Sequence, residues 1–227
     1  MIRARALALA LLAVGALHGR ATPELAPYVQ ATRVPEACRE WLDAARAGLT
    51  AGIDGTAPER SAAAQAPDAP DWPGTPRPLY VTLAHGSVTR ACVGSDTPMG
   101  ATLAEALHAL GSQLASQDRR HAPLRAEELD SLRLVVAFAG DAQAIADPSQ
   151  VDPMHEGLKI ETDRGAVAFL PGEARTVAWA LREARRIGVL GARESDAHFS
   201  RFPVVVIQGP ARVARALLSK PHEGATP

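Results

Sequence analysis

Cys92 is the residue whose type and setting could most directly do chemistry. It closes the run Val88-Thr89-Arg90-Ala91-Cys92-Val93, whose alternation has strand period. Period two puts Val88, Arg90 and Cys92 on one face. Gly94-Ser95-Asp96-Thr97-Pro98 follows as a loop leading into a helix. The thiolate is the nucleophilic form of cysteine, and a cation or a helix N-terminus beside a thiol favours it. On that reading Cys92 is a catalytic nucleophile. His121, in the polar run Asp118-Arg119-Arg120-His121, is then its base. Two other readings stand beside this one. Cys92 is a small apolar residue on a core strand, or it is joined to Cys38, because two cysteines in an exported chain permit one disulfide.

Arg90 needs a partner if its face is covered, because an isolated charge is costly to bury. Either the face opens to a groove in which Arg90 holds an anion, or Arg90 pairs with an acid such as Asp118. Gly94 and Ser95 would line that groove. The bland reading of Asp118 to His121 is a helix C-terminus carrying cations, as the helix dipole prefers. Asp147, Asp152, His155 and Glu156 have the types of metal ligands, but they lack a ligand spacing and flank two prolines, so a solvated loop is expected there. Ser95 has no nucleophile-elbow glycines around it, which removes support for a serine hydrolase.

These residues need elements to place them. Pro35 starts a helix with Cys38, Trp41, Leu42, Ala45 and Leu49 on its apolar stripe, after a leader over 22–34 that reads as exposed. Residues 53–78 read as an irregular connection. A hairpin follows, with Leu79 to Leu83 as its first strand and a turn at Ala84 to Ser87. Thr102 and Glu105 form a capping box for a helix carrying Leu103, Leu107, Leu110 and Leu114. Ala126 to Asp130 is a short helix, and Leu132 to Phe138 is a strand. A second hairpin turns at Thr162 to Gly165, Glu173 to Ile187 is a helix, and Pro203 to Gln208 is a last strand before a tail over 209–227. Two hairpins with helices between them predict an α+β fold, a mainly antiparallel sheet covered by helices.

Composition narrows the partners. Arg3 and Arg5 precede an apolar run from Ala6 to Leu17, and Gly19-Arg20-Ala21 supplies small residues for cleavage. This predicts a signal peptide over 1–21 and export to the periplasm or beyond the cell. The apolar run is too short to cross a bilayer, which takes about 20 residues. Cleavage would remove Arg3, Arg5 and Arg20 and no acid, so 24 basic residues become 21 against 25 acids, a net charge of −4. Such a balance argues against nucleic-acid binding and gives no polybasic membrane surface. Only Lys159 and Lys220 are lysines; the other bases are arginines.

One further pattern spans residues 79–205. Tyr80-Val81-Thr82-Leu83 is followed by Arg90-Ala91-Cys92-Val93-Gly94-Ser95 and by Leu103 in the helix. Asp118-Arg119, Pro123-Leu124 and Glu127-Glu128-Leu129 come next, then the strand to Phe138. Gly157-Leu158, Leu170-Pro171 and Ile187-Gly188-Val189 close the series. In this order the motifs resemble the family named for the AMME contiguous-deletion syndrome candidate gene, also called AmmeMemoRadiSam system protein A. Ala91 stands where that family has Gly before its Cys. The resemblance implies the family's α+β fold and places the Asp118 to His121 segment near the Cys motif. The expectation is an exported domain that binds a small anionic ligand or a protein partner in a groove of Arg90, Cys92, Gly94, Ser95 and Asp118. No cofactor and no metal are expected. An enzyme with Cys92 as nucleophile in group transfer, and a structural domain with a Cys38–Cys92 disulfide, are the alternatives.

Overall fold

The computed structural model describes residues 22–56, 71–97, 99–118, 121–191 and 197–212. The expected signal peptide, the middle of the 53–78 connection, Arg119 and Arg120, and the tail from 213 lie outside the described residues.

The fold is α+β, with two four-stranded antiparallel sheets. The first sheet has β1 (Leu79–His85), β2 (Val88–Ser95), β3 (Arg133–Ala139) and β8 (Val204–Pro210), in the order β2-β1-β3-β8. The second has β4 (Gln143–Ile145), β5 (Gly157–Thr162), β6 (Gly165–Phe169) and β7 (His198–Phe202), in the order β4-β7-β5-β6. Two chain segments pass between the sheets. One runs from β3 to β4, the other from β7 through Pro203 into β8. Gly140 N–H donates to the Pro203 carbonyl at 2.8 Å and ties the two crossings together.

Strand β1 shows why the layers form. Its odd residues, Leu79, Val81 and Leu83, enter the main core under the helices, and Tyr80 faces a smaller core between the sheets. Both faces are covered, as period two allows in a central strand. Helix α2 (Pro35–Ile53) and helix α3 (Leu103–Leu114) fill the main core with Trp41, Leu42, Leu49, Leu107 and Leu110. Small residues let the two helices come unusually close. A Cβ on Gly48 would lie 1.9 Å from the His108 carbonyl oxygen, and one on Gly111 would lie 2.2 Å from that of Ala45. Thr102 caps α3 as expected, its hydroxyl accepting from Glu105 N–H at 3.2 Å, while the Glu105 carboxylate accepts from Ala101 N–H at 2.8 Å. Helix α4 (Val177–Arg186) covers the second sheet, with Ala180 and Ala184 buried against it.

The leader is not exposed. Helix α1 (Ala26–Ala31) follows a 3-10 turn, and Leu25 and Tyr28 are fully buried. The Tyr28 ring lies 4.7 Å from that of Phe138, and its hydroxyl donates to the Thr75 carbonyl at 2.8 Å. These are long-range contacts, which the local pattern over 22–34 does not display.

Candidate functional site

A cleft of about 470 Å³ opens where the edge of the first sheet meets the second. Tyr80, Cys92, Gly94 and Asp96 form one wall and Asp118 the end beyond α3. Lys159, the β5–β6 hairpin from Arg164 to Ala168, and Ile187 to Val189 after α4 form the other side. Three of the residues singled out in the sequence, Cys92, Gly94 and Asp118, therefore come together.

Cys92 and Thr82 are directly opposite on β2 and β1, and the Thr82 hydroxyl lies 3.1 Å from the Cys92 sulfur, positioned to donate to it. The Cys92 N–H donates to Asp118 Oδ2 at 2.8 Å. Asp118 is buried, so the end of α3 is pinned to β2 beside the thiol. Two pairs further along, on the same face, Gly94 faces Tyr80. A Cβ on Gly94 would lie 2.1 Å from the Tyr80 ring, so the ring can lie flat across this position only because no side chain is there. The other face of the Tyr80 region packs on Phe202, with ring centroids 6.0 Å apart and nearly parallel planes.

The Tyr80 hydroxyl donates to Asp96 Oδ1 at 3.3 Å, and Asp96 Oδ2 accepts from Lys159 Nζ at 2.8 Å. Lys159 also meets Glu161 at 2.9 Å. This chain of contacts bridges the two sheets across the cleft. Burial and the neighbouring Asp96 charge push the Tyr80 hydroxyl well above its ordinary range, so it remains a proton donor. For Lys159, burial works against the charge, but the bonds to Asp96 and Glu161 prevail and raise its pKa above the usual lysine value. Arg164 is exposed on the hairpin turn and lines the same cleft; among the described residues its guanidinium is in no ion pair.

Arg90 is elsewhere. The β1–β2 register passes from Leu83↔Ala91 to Ala84↔Thr89 and skips Arg90, which is the extra residue of a β-bulge. The bulge breaks the alternation that would set Arg90 beside Cys92. The guanidinium instead grips Glu128 with two bonds, of 2.7 and 3.1 Å, and reaches the Ala122 carbonyl at 3.1 Å. The Arg90 partner is therefore Glu128 and not Asp118. Ser95 turns away too, its hydroxyl donating to the Thr97 carbonyl at 2.6 Å. His121 is exposed and lines a neighbouring cleft with Ser87, Val88 and α4.

Cys38 and Cys92 are both thiols. Cys38 is fully buried in the helix-side core, and Cys92 packs beside the core between the sheets. They lie on opposite faces of the first sheet, so the expected alternative of a Cys38–Cys92 bond is not formed. Among the described residues no three His, Cys, Asp or Glu side chains gather as a metal site. Asp147 and Asp152 accept instead from nearby backbone N–H groups, those of Ser149 and Met154.

The AMMECR1 family profile matches residues 42–205, from the middle of α2 into β8. The chain belongs to the AMMECR1 family. The crystal structure of the uncharacterised protein PH0010 from Pyrococcus horikoshii shares this AMMECR1 chain's fold, with a TM-score of 0.54 and 22% identity. The match covers 74% of this chain and 89% of that one. No curated protein matches. Among the described residues no helix is long and apolar enough to cross a membrane.

Tyr80, Asp96, Lys159 and Arg164 were not read as site residues from the sequence. One signal was available: Lys159 is one of only two lysines in a chain that otherwise uses arginine.

Proposed function

We propose that this AMMECR1-family chain is an exported domain that binds a small ligand with an anionic group in the cleft around Cys92. The observation that carries the reading is the cleft itself. Its volume of about 470 Å³ lies in the range of small-molecule sites, roughly 300–1,000 Å³. Its walls hold a few convergent polar groups on rigid strands. Arg164 is the cation available to an anion, because Lys159 is held between Asp96 and Glu161. Gly94 and the flat Tyr80 ring form a smooth wall against which the ligand body can lie. Export rests on the signal-peptide pattern over 1–21.

Isothermal titration with inorganic phosphate, citrate and glutarate tests the reading. At least one should bind saturably, and Arg164→Met should weaken it about tenfold, the usual scale for one charge-assisted contact. Binding unaffected by Arg164→Met would remove the cleft from the account.

A second reading has one observation behind it. The Thr82 hydroxyl at 3.1 Å from the Cys92 sulfur favours the thiolate and supports a nucleophile inside the cleft. His121 lines the other cleft, so in this reading the assisting group is Asp118, whose carboxylate accepts from the Cys92 N–H. Rapid alkylation of Cys92 in the native protein at neutral pH would support it, and resistance until unfolding would end it.

A further inference from the structure

The second cleft, beside the first and about 370 Å³ in volume, lies between the β1–β2 turn and the outer face of α4. Two features set it apart from an ordinary surface hollow. Val88 and Trp179 are 66% and 38% exposed, among the few large apolar residues left uncovered, and both line this one cleft. Arg175 and Arg182 line it as well, and neither is in an ion pair among the described residues. Arg175 Nη2 donates to the Ser87 hydroxyl at 3.1 Å, which holds its guanidinium across the mouth of the cleft. The acids of the lining are already engaged. Glu183 is gripped by Arg186 at 2.6 Å and 2.8 Å, and the Glu173 carboxylate accepts from Leu170 N–H at 3.1 Å.

An apolar pair and two available guanidiniums in one hollow are complementary to a flat apolar body with one negative end. Arginine forks match carboxylate geometry, and an indole edge or face takes an aromatic ring. The volume is at the small end of ligand sites, which fits a one- or two-ring molecule better than a protein segment. We propose that this second cleft binds a small aromatic carboxylate, its ring against Val88 and Trp179 and its carboxylate on Arg175 and Arg182. The site is separate from the Cys92 cleft and shares no lining residue with it.

Titration calorimetry of the full chain with 2-naphthoate, and with 2-naphthalenemethanol as its uncharged counterpart, tests this. Naphthoate binds saturably, and the alcohol binds about tenfold more weakly, the loss expected for one charged contact. Arg175→Met with Arg182→Met weakens naphthoate about tenfold or more. Trp179→Ala weakens both compounds, and Arg39→Met on α2 changes neither. Both arginines are exposed, so the double variant keeps its fold, which a melting curve verifies. Equal binding of acid and alcohol, naphthoate binding that survives the double arginine variant, or no saturable binding would each overturn the proposal.

Discussion

Replacing Arg90 with Met should destabilise the protein by about 2 kcal/mol without touching either cleft. The guanidinium makes two bonds to Glu128 and one to the Ala122 carbonyl, and the paired side chains are only 21% and 26% exposed. A fully exposed pair would contribute about 0–1 kcal/mol. Here the substitution also strands a half-buried carboxylate, and an unmatched buried group costs about 1–3 kcal/mol. For a domain of this size about 2 kcal/mol lowers the melting temperature by roughly 4–8 °C. Urea denaturation followed by circular dichroism, in a cycle with Glu128→Gln, isolates the pair. A coupling of about 1 kcal/mol is expected. The pH dependence has a definite sign. The Arg90 bond, against the opposing effect of burial and with further help from Arg125 N–H, holds the Glu128 carboxyl below its ordinary value of 4.5. A depressed carboxyl stabilises the fold above its unfolded pKa and loses that contribution as pH falls through the folded value. The gap between wild type and Arg90→Met should therefore be full at neutral pH and narrow below about pH 4.5. Zero coupling, or an Arg90→Met variant of normal stability that loses phosphate or citrate binding, would refute the structural role.

Gly94→Ala should cost about 1–3 kcal/mol, because its Cβ would strike the Tyr80 ring at 2.1 Å. The penalty should vanish when Tyr80 is already Ala, and a melting-temperature cycle measures this. Lys159→Met should cost about 1 kcal/mol, a value kept low by the exposure of Asp96 and Glu161. Because the Lys159 pKa is raised, its contribution is full below about 10.4 and fades as pH climbs past the folded value, so thermal melts in alkaline buffers should converge with those of the variant. In native alkylation read by mass, Cys92 should label before Cys38, which is fully buried and whose thiol pKa burial raises. Labelling in the reverse order would contradict the placement of the two thiols.

Local periodicity carried much of this architecture. Both hairpins, the capping box of α3, the stripe of α2 and the strand to Phe138 follow from patterns of two or 3.6 residues and turn chemistry, and so does the α+β class. What escaped depended on distant parts of the chain. The bulge at Arg90 inserts one residue into the ladder, and any period-two argument crossing it assigns the wrong face. Lys159 reaches Asp96 across 63 residues of sequence, a contact made only once the second sheet folds against the first. Strand β7 is short, and its Phe202 lies at the switch between sheets, so neither length nor alternation marks it clearly. Leu25 and Tyr28 read as leader because the partner that buries Tyr28, Phe138, lies far along the chain. Of the candidate site, Cys92, Gly94 and Asp118 were legible through the strand, the turn and the family motifs. The residues of the opposite wall were not.

The central claim is that the space between the sheets around Cys92 is a ligand site. Two-dimensional 1H–15N spectra recorded while phosphate, citrate or glutarate is added test it most directly. Saturable shifts confined to the amides of Cys92, Gly94, Lys159 and Gly165 to Ala168 are expected, and they should be lost in Arg164→Met. Shifts scattered over the surface, or the same residues moving equally in Arg164→Met, would contradict it.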